Sequence, residues 1–165
     1  MAQSCCVVPA TTDEHGARVR FPPPVVFLAA LLAGWAVQRA IPLHLPIERW
    51  IRIALGSVVM LGGVALVASA RAFFVRTGQS PVPWKPTPEL IANGPYRFTR
   101  NPMYVGVTLF GVGLGLAVDD PWISMLALVA LVAVNFIAVR PEETYLLEKF
   151  GERYASYRRR VRRYL

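Results

Sequence analysis

Cysteine is almost missing from this chain. Cys5 and Cys6 are the whole supply, adjacent and close to the first residue. Two neighbours at one end frame no disulfide-stapled domain and lack the spacing of a metal site. Histidine is as scarce: His15 lies in a polar stretch and His44 in a short loop, and neither is expected to act as a ligand or base. Charge is thin too, at 17% of residues, against about 25% in an ordinary soluble domain. Acidic residues are the rarer sign, 10 against 18 Lys and Arg.

What fills the chain instead is hydrocarbon, 55% of its residues, gathered in long blocks. A membrane span needs about 20 mostly apolar residues to cross roughly 30 Å of hydrocarbon. Four blocks approach or meet that length, at 24–41, 50–70, 103–118 and 122–139. Pro22, Pro23 and Pro24 open the first and Pro42 closes it, as prolines do at helix ends. The second begins at an interfacial Trp50 and exits at Arg71 and Arg76. Asp119, Asp120 and Pro121 join the third and fourth blocks as a tight acidic turn, so those two form an antiparallel hairpin. After Arg140, the residues Glu143, Leu147, Phe150, Tyr154, Tyr157 and Val161 recur every three or four positions, which predicts an amphipathic helix along the interface.

The expected fold is therefore all-α: a polytopic membrane helical bundle of about four transmembrane helices plus a C-terminal amphipathic interfacial helix. Residues 1–20 are expected to be a disordered tail without a cleavable signal, and 21–165 a single integral membrane domain. The segment 71–100 carries five basic residues and one acidic, and 140–165 carries eight and four, whereas the turn at Asp119 is purely acidic. The positive-inside rule then places both basic segments, and the N- and C-termini, on the cytoplasmic side. Basic residues confined to the ends of apolar blocks argue for membrane lipids and against nucleic acid as the partner.

Ionisable groups beside hydrocarbon are costly and ask for a reason. One such group is the run Arg100, Asn101, Pro102, Met103, Tyr104, Val105 and Gly106, where a cation and a proline-started helix meet the membrane. A helix start suits an anion, but a cationic interface anchor with an ordinary cap reads as well. The other is Arg140, Pro141, Glu142 and Glu143, whose carboxylates suit either a cationic ligand or the first turn of a new helix. The hairpin brings both runs to one side of the membrane. Asn135, seven residues before Glu142, is expected to make a packing hydrogen bond, and Gly62, Gly63, Gly111 and Gly115 to serve close helix contact, while Gly106 could clear space for a ligand. The loop 77–101, dense in Pro and Gly around Trp84, Lys85 and Arg97, is too specific to be a mere connector.

At these residues the chain resembles the isoprenylcysteine carboxyl methyltransferase and phospholipid methyltransferase superfamily of integral membrane enzymes. The likeness runs over about 77–161, through Gly94-Pro95-Tyr96-Arg97, the run from Arg100 to Gly106, Glu142-Glu143, and Phe150-Gly151-Glu152-Arg153-Tyr154 with Tyr157. It implies S-adenosylmethionine as the cofactor, with Tyr96, Arg100, Asn101, Tyr104 and Gly106 lining its pocket and Glu142 and Glu143 holding its amino group or ribose hydroxyls. It also implies a lipophilic acceptor entering from the bilayer. Many members carry His where this chain has Asn101, and an amide takes no proton near neutral pH. A carboxylate acceptor, already ionised, needs no base, so carboxyl methylation positioned by Arg100, Asn101 and Tyr104 is the expected chemistry. The alternatives are N-methylation of a phospholipid headgroup amine and a non-catalytic membrane scaffold.

Overall fold

Proline and glycine decide where each helix starts and stops. In the computed structural model, which describes residues 21–76, 78 and 89–164, α1 (Pro23–Ala40) begins on the proline run and α2 (Arg49–Arg76) follows a short loop. A single 3-10 turn at Gly94–Arg97 leads into α3 (Pro102–Ala117), and α4 (Pro121–Val134) starts directly after the acidic turn. A π-helical segment, Asn135–Val139, joins α4 to α5 (Arg140–Phe150), and α6 (Glu152–Arg160) closes the order. The 1–20 stretch with Cys5, Cys6 and His15, and the part of the loop bearing Trp84 and Lys85, lie outside the described residues.

Among the described residues three helices, Pro23–Ala40, Arg49–Arg76 and Pro121–Phe150, are long and apolar enough to cross a membrane. The fourth apolar helix, α3, has 16 residues, about 24 Å at the usual rise and so shorter than the hydrocarbon core. The helical membrane bundle expected from hydropathy is the observed architecture. Leu28, Leu32, Val58, Leu61, Val129 and Val132 are all exposed on its outside, as a lipid-facing surface requires.

Three boundaries differ from expectation. α2 does not stop at residue 70 but carries Arg71 and Arg76 within its last turns, where the guanidinium of Arg76 lies over the Phe73 ring. Long cationic stems cover apolar surface while the charge reaches water, so an arginine need not end a span. The fourth span does not stop at Val139 either; it continues through Pro141 as one 30-residue helix. Pro141 has no N–H to donate, and the π turn just before it, in which the Arg140 N–H reaches back to the Asn135 carbonyl, absorbs the break in the ladder. Finally, the periodic run from Glu143 to Val161 is two helices. Gly151 sits at φ +52, ending α5 and turning α6 back so that Tyr154 and Tyr157 are buried.

α3 lies between α2 and α4, and the α2–α3 contact is made backbone to backbone. A Cβ at Gly63 would stand 2.5 Å from the Gly106 carbonyl oxygen, and one at Gly113 would stand 2.6 Å from that of Gly56. Small residues at such crossings let helices gain van der Waals contact that lipid does not supply. Gly62, next in sequence, faces open space. Gly63→Ala should therefore lower the thermal stability of the detergent-solubilised protein by about 1–3 kcal/mol, the range for overpacking. Gly62→Ala should leave it unchanged or slightly raised; equal effects from both would refute this packing. α1 covers α4 through Phe27, which packs with Ala130, Val134, Ala138 and Val139.

At the end of the bundle away from Arg100, the acidic turn is tied down. Asp119 takes φ +62, and its carboxylate contacts the buried Arg52 guanidinium and lies 2.9 Å from His44 Nδ1. The same carboxylate accepts the Leu45 N–H at 2.9 Å. Asp120 caps α4 by accepting the Ile123 N–H at 3.0 Å.

Candidate functional site

Two segments distant in sequence meet at the other end of the bundle: the turn into α3, and the α4–α5 helix where it emerges past the π segment. Arg100 Nη1 lies 3.0 Å from Glu143 Oε1, with both side chains nine-tenths buried. The hairpin geometry of α3 and α4 is what brings them together, since Pro102 starts one helix where the other leaves the apolar layer.

The two adjacent carboxylates do different things. Glu143 is gripped by a second guanidinium: Arg163 donates from Nη2 to Oε2 at 2.7 Å and from Nε to Oε1 at 3.1 Å. Such a forked pair is among the stronger charge-assisted contacts, and it raises the affinity of Arg163 for its proton. Glu142 instead accepts one neutral hydrogen bond, from the Tyr104 hydroxyl at 2.8 Å, and has no cationic partner among the described residues. Of the pair, Glu142 is the carboxylate whose charge is still to be matched.

Arg100 is incompletely satisfied. Its Nε is buried without an acceptor, and Nη1 meets Glu143 as a charge contact without an aligned hydrogen bond. An unmade buried hydrogen bond costs about 1–3 kcal/mol. The Tyr154 hydroxyl oxygen faces the same guanidinium as an acceptor, and burial pushes the Tyr154 phenol up, so it stays protonated.

Residues 161–164 stitch this region together. The Arg100 N–H donates to the Arg162 carbonyl at 2.9 Å. The Arg163 carbonyl accepts from Thr99 Oγ1 and from Asn101 Nδ2, each at 3.0 Å. The Asn135 side-chain oxygen accepts from Arg163 Nη1 at 3.2 Å and from the Tyr164 hydroxyl at 3.1 Å. Below them the Tyr157 hydroxyl donates to the Tyr96 carbonyl at 2.6 Å, and Tyr96 meets Phe74 edge to face with centroids 5.9 Å apart. Burial pushes the phenols of Tyr96 and Tyr157 well up, which keeps Tyr157 a donor.

The residues singled out in the sequence thus fall into three places. Arg100, Tyr104, Glu142 and Glu143 converge. Tyr96 and Asn101 are buried beside them, with the Asn101 amide committed to holding the 161–164 segment. Gly106 is elsewhere: it faces α2, where a Cβ would stand 2.7 Å from the Gly63 carbonyl oxygen, so its smallness serves helix contact and the expected role in clearing a pocket is not where the structure puts it. Asn135 makes the packing hydrogen bonds expected of it. Sequence reasoning missed Thr99, Arg163 and Tyr164. The only signal for Arg163 was its membership in a basic run of five arginines between 158 and 163, which gives no hint that one of them turns inward.

The phospholipid methyltransferase family model matches residues 51–153, which takes in α2 through Glu143 and the start of α6. A protein-S-isoprenylcysteine O-methyltransferase from Schizosaccharomyces pombe is 35% identical over 74 residues, a match that covers 44% of this chain. That match spans only 30% of the relative's own length. The family match covers more than half of the sequence and contains both converging segments, and on that ground the chain belongs to the phospholipid methyltransferase family.

Proposed function

We propose that this protein is a membrane enzyme that transfers a methyl group from S-adenosylmethionine to a lipophilic acceptor, at the cytoplasmic end of the bundle where Arg100, Tyr104 and Glu142 converge. One observation carries the reading: in a chain of this family, Glu142 presents a carboxylate with no cationic partner among the described residues, in the same cluster as the Arg100 guanidinium. A positively charged cofactor matches the Glu142 carboxylate, and an anionic or oxygen-bearing acceptor matches the Arg100 guanidinium.

When bound, S-adenosylmethionine supplies an electrophilic methyl on a sulfonium. The chain's part is to place the reactants. Glu142 holds the cationic portion of the cofactor, with Tyr104 fixing the carboxylate through its hydroxyl. Arg100 orients the acceptor oxygen through its positive charge, and Glu143 with Arg163 fixes the guanidinium in turn. Asn101 keeps the turn closed through the Arg163 carbonyl and moves no proton. Fixing donor and acceptor at about 3–3.5 Å contributes much of the rate in such displacements. The Asn at 101 supports an acceptor that arrives already ionised, so a carboxylate is the first choice. The name of the Schizosaccharomyces pombe relative points the same way; the family's own name keeps a phospholipid amine as the second reading.

Calorimetric titration of the full chain in detergent tests the cofactor. Wild-type protein should give saturable heat with S-adenosylmethionine and with its demethylated product. Glu142→Gln should weaken that binding by about 10- to 100-fold, the worth of a hydrogen bond to a charged group. Absence of any saturable heat in the wild type would mean a scaffold and end the reading. A labelled methyl released from membrane lipid by mild base marks an ester, and one retained marks an amine.

A further inference from the structure

Beside the Glu142 carboxylate, and sharing Glu143 and Arg163 with its cluster, a cleft of about 290 Å³ opens between α5 and α6, lined by Arg140, Glu143, Thr144, Leu147, Arg158 and Arg163. Three guanidiniums border it, and the one carboxylate there is already spent on Arg163 and Arg100. Arg140 and Arg158 have no acidic partner among the described residues. Like charges gathered around one concavity repel, and an anion with several acceptor oxygens relieves that repulsion at all three arginines at once.

The surface beneath the cleft says what kind of anion. Arg140 stacks over the Phe136 ring at 4.2 Å, and Phe136 heads a stripe of exposed apolar side chains down the outside of α4: Val132, Val129, Leu128 and Met125. The spacing of three and four residues keeps the stripe on one face. From Met125 to Arg140 the helix rises about 22 Å, enough to accompany an acyl chain through its half of a roughly 30 Å core. Cationic head and apolar stripe are continuous.

We propose that this cleft binds the phosphate of an anionic membrane phospholipid through Arg140, Arg158 and Arg163, with its acyl chains laid against the Met125–Phe136 face of α4. The site is distinct from the Glu142 carboxylate and does not depend on the chain's catalytic activity. Arg159, by contrast, is paired with Glu152, and Arg160 donates to its own helix at Ser156; neither lines the cleft.

The test is native mass spectrometry and thermal unfolding of the full chain in detergent, with dioleoyl phosphatidylglycerol, dioleoyl phosphatidylcholine or glycerol phosphate added. Phosphatidylglycerol should be retained at least tenfold better than phosphatidylcholine and should raise the unfolding temperature, while glycerol phosphate should do neither. Arg140→Gln with Arg158→Gln should abolish the preference, and Arg159→Gln with Arg160→Gln should keep it. Arg163 is left unchanged because it holds Glu143. Equal loss in both double variants would mean diffuse charge attraction and overturn the proposal. So would full retention in the Arg140 and Arg158 variant, or equal stabilisation by glycerol phosphate alone.

Discussion

Glu143→Ala should unfold this end of the bundle, with a loss of about 3–5 kcal/mol, the cost of stranding a buried charge by removing its partner. Two guanidiniums rest on that carboxylate, and Arg100 has a side chain nine-tenths buried with one N–H already unmatched. Taking Glu143 away leaves Arg100 buried with its charge uncompensated and frees Arg163 from a forked contact. The 161–164 segment should then lift off Thr99 and Asn101, because the side chain of Arg163 and its carbonyl hold opposite sides of the same junction. Glu142→Ala, one residue away, removes a single hydrogen bond from Tyr104 and should cost less, about 1–3 kcal/mol for the stranded hydroxyl. Unfolding monitored by intrinsic fluorescence in detergent separates the two. The paired result matters: stability falls with Glu143 and cofactor affinity falls with Glu142. A large stability loss at Glu142 and none at Glu143 would invert the assignment and remove the basis for placing the cofactor beside Glu142.

That division between neighbours was not legible in the sequence. Hydropathy located four apolar blocks and the Asp119 turn made two of them a hairpin, so the meeting of Arg100 with the Glu142-Glu143 pair followed from topology. Spacing on a regular helix put Asn135 on one face with Glu142, whereas across the π segment it shares Arg163 with Glu143. Other features depend on tertiary contact. Adjacent residues on a helix point about 100° apart, and the π turn before Pro141 shifts that direction further, so no pattern told which glutamate would face the arginines. Gly106 illustrates the same limit, since a glycine beside a site and a glycine against a helix carry one letter. The left-handed Gly151 broke a periodic run that looked continuous from Glu143 to Val161, because periodicity survives a turn when both helices bury one face. Arg163 was hidden in a basic run in which Arg159 pairs with Glu152 and Arg160 donates to its own helix.

Asp119→Ala should be nearly as destructive as Glu143→Ala, at about 3–5 kcal/mol, yet should leave cofactor affinity untouched. Arg52 is 9% exposed and finds its counter-charge in Asp119, so the same argument about a stranded buried cation applies. Asp119 does more than neutralise. Its two oxygens also fasten the α1–α2 loop through Leu45 N–H and His44, and its backbone sits at φ +62, a region that Asp and Asn enter more readily than Ala. Asp119→Asn keeps the backbone preference and an acceptor for Leu45 and loses only the charge, so it should cost less than Asp119→Ala. The double variant Arg52→Leu with Asp119→Asn should recover part of the loss, since replacing both members of a buried pair is far milder than removing one. Unfolding temperatures of the wild type, the single variants Asp119→Ala, Asp119→Asn and Arg52→Leu, and the double variant, with S-adenosylmethionine titrations on each, form the measurement. Additive losses in the double variant would show that the two residues do not act as a pair. A changed cofactor affinity would show that the two ends of the bundle are coupled, which the separation of the Asp119 turn from the Glu142 cluster argues against.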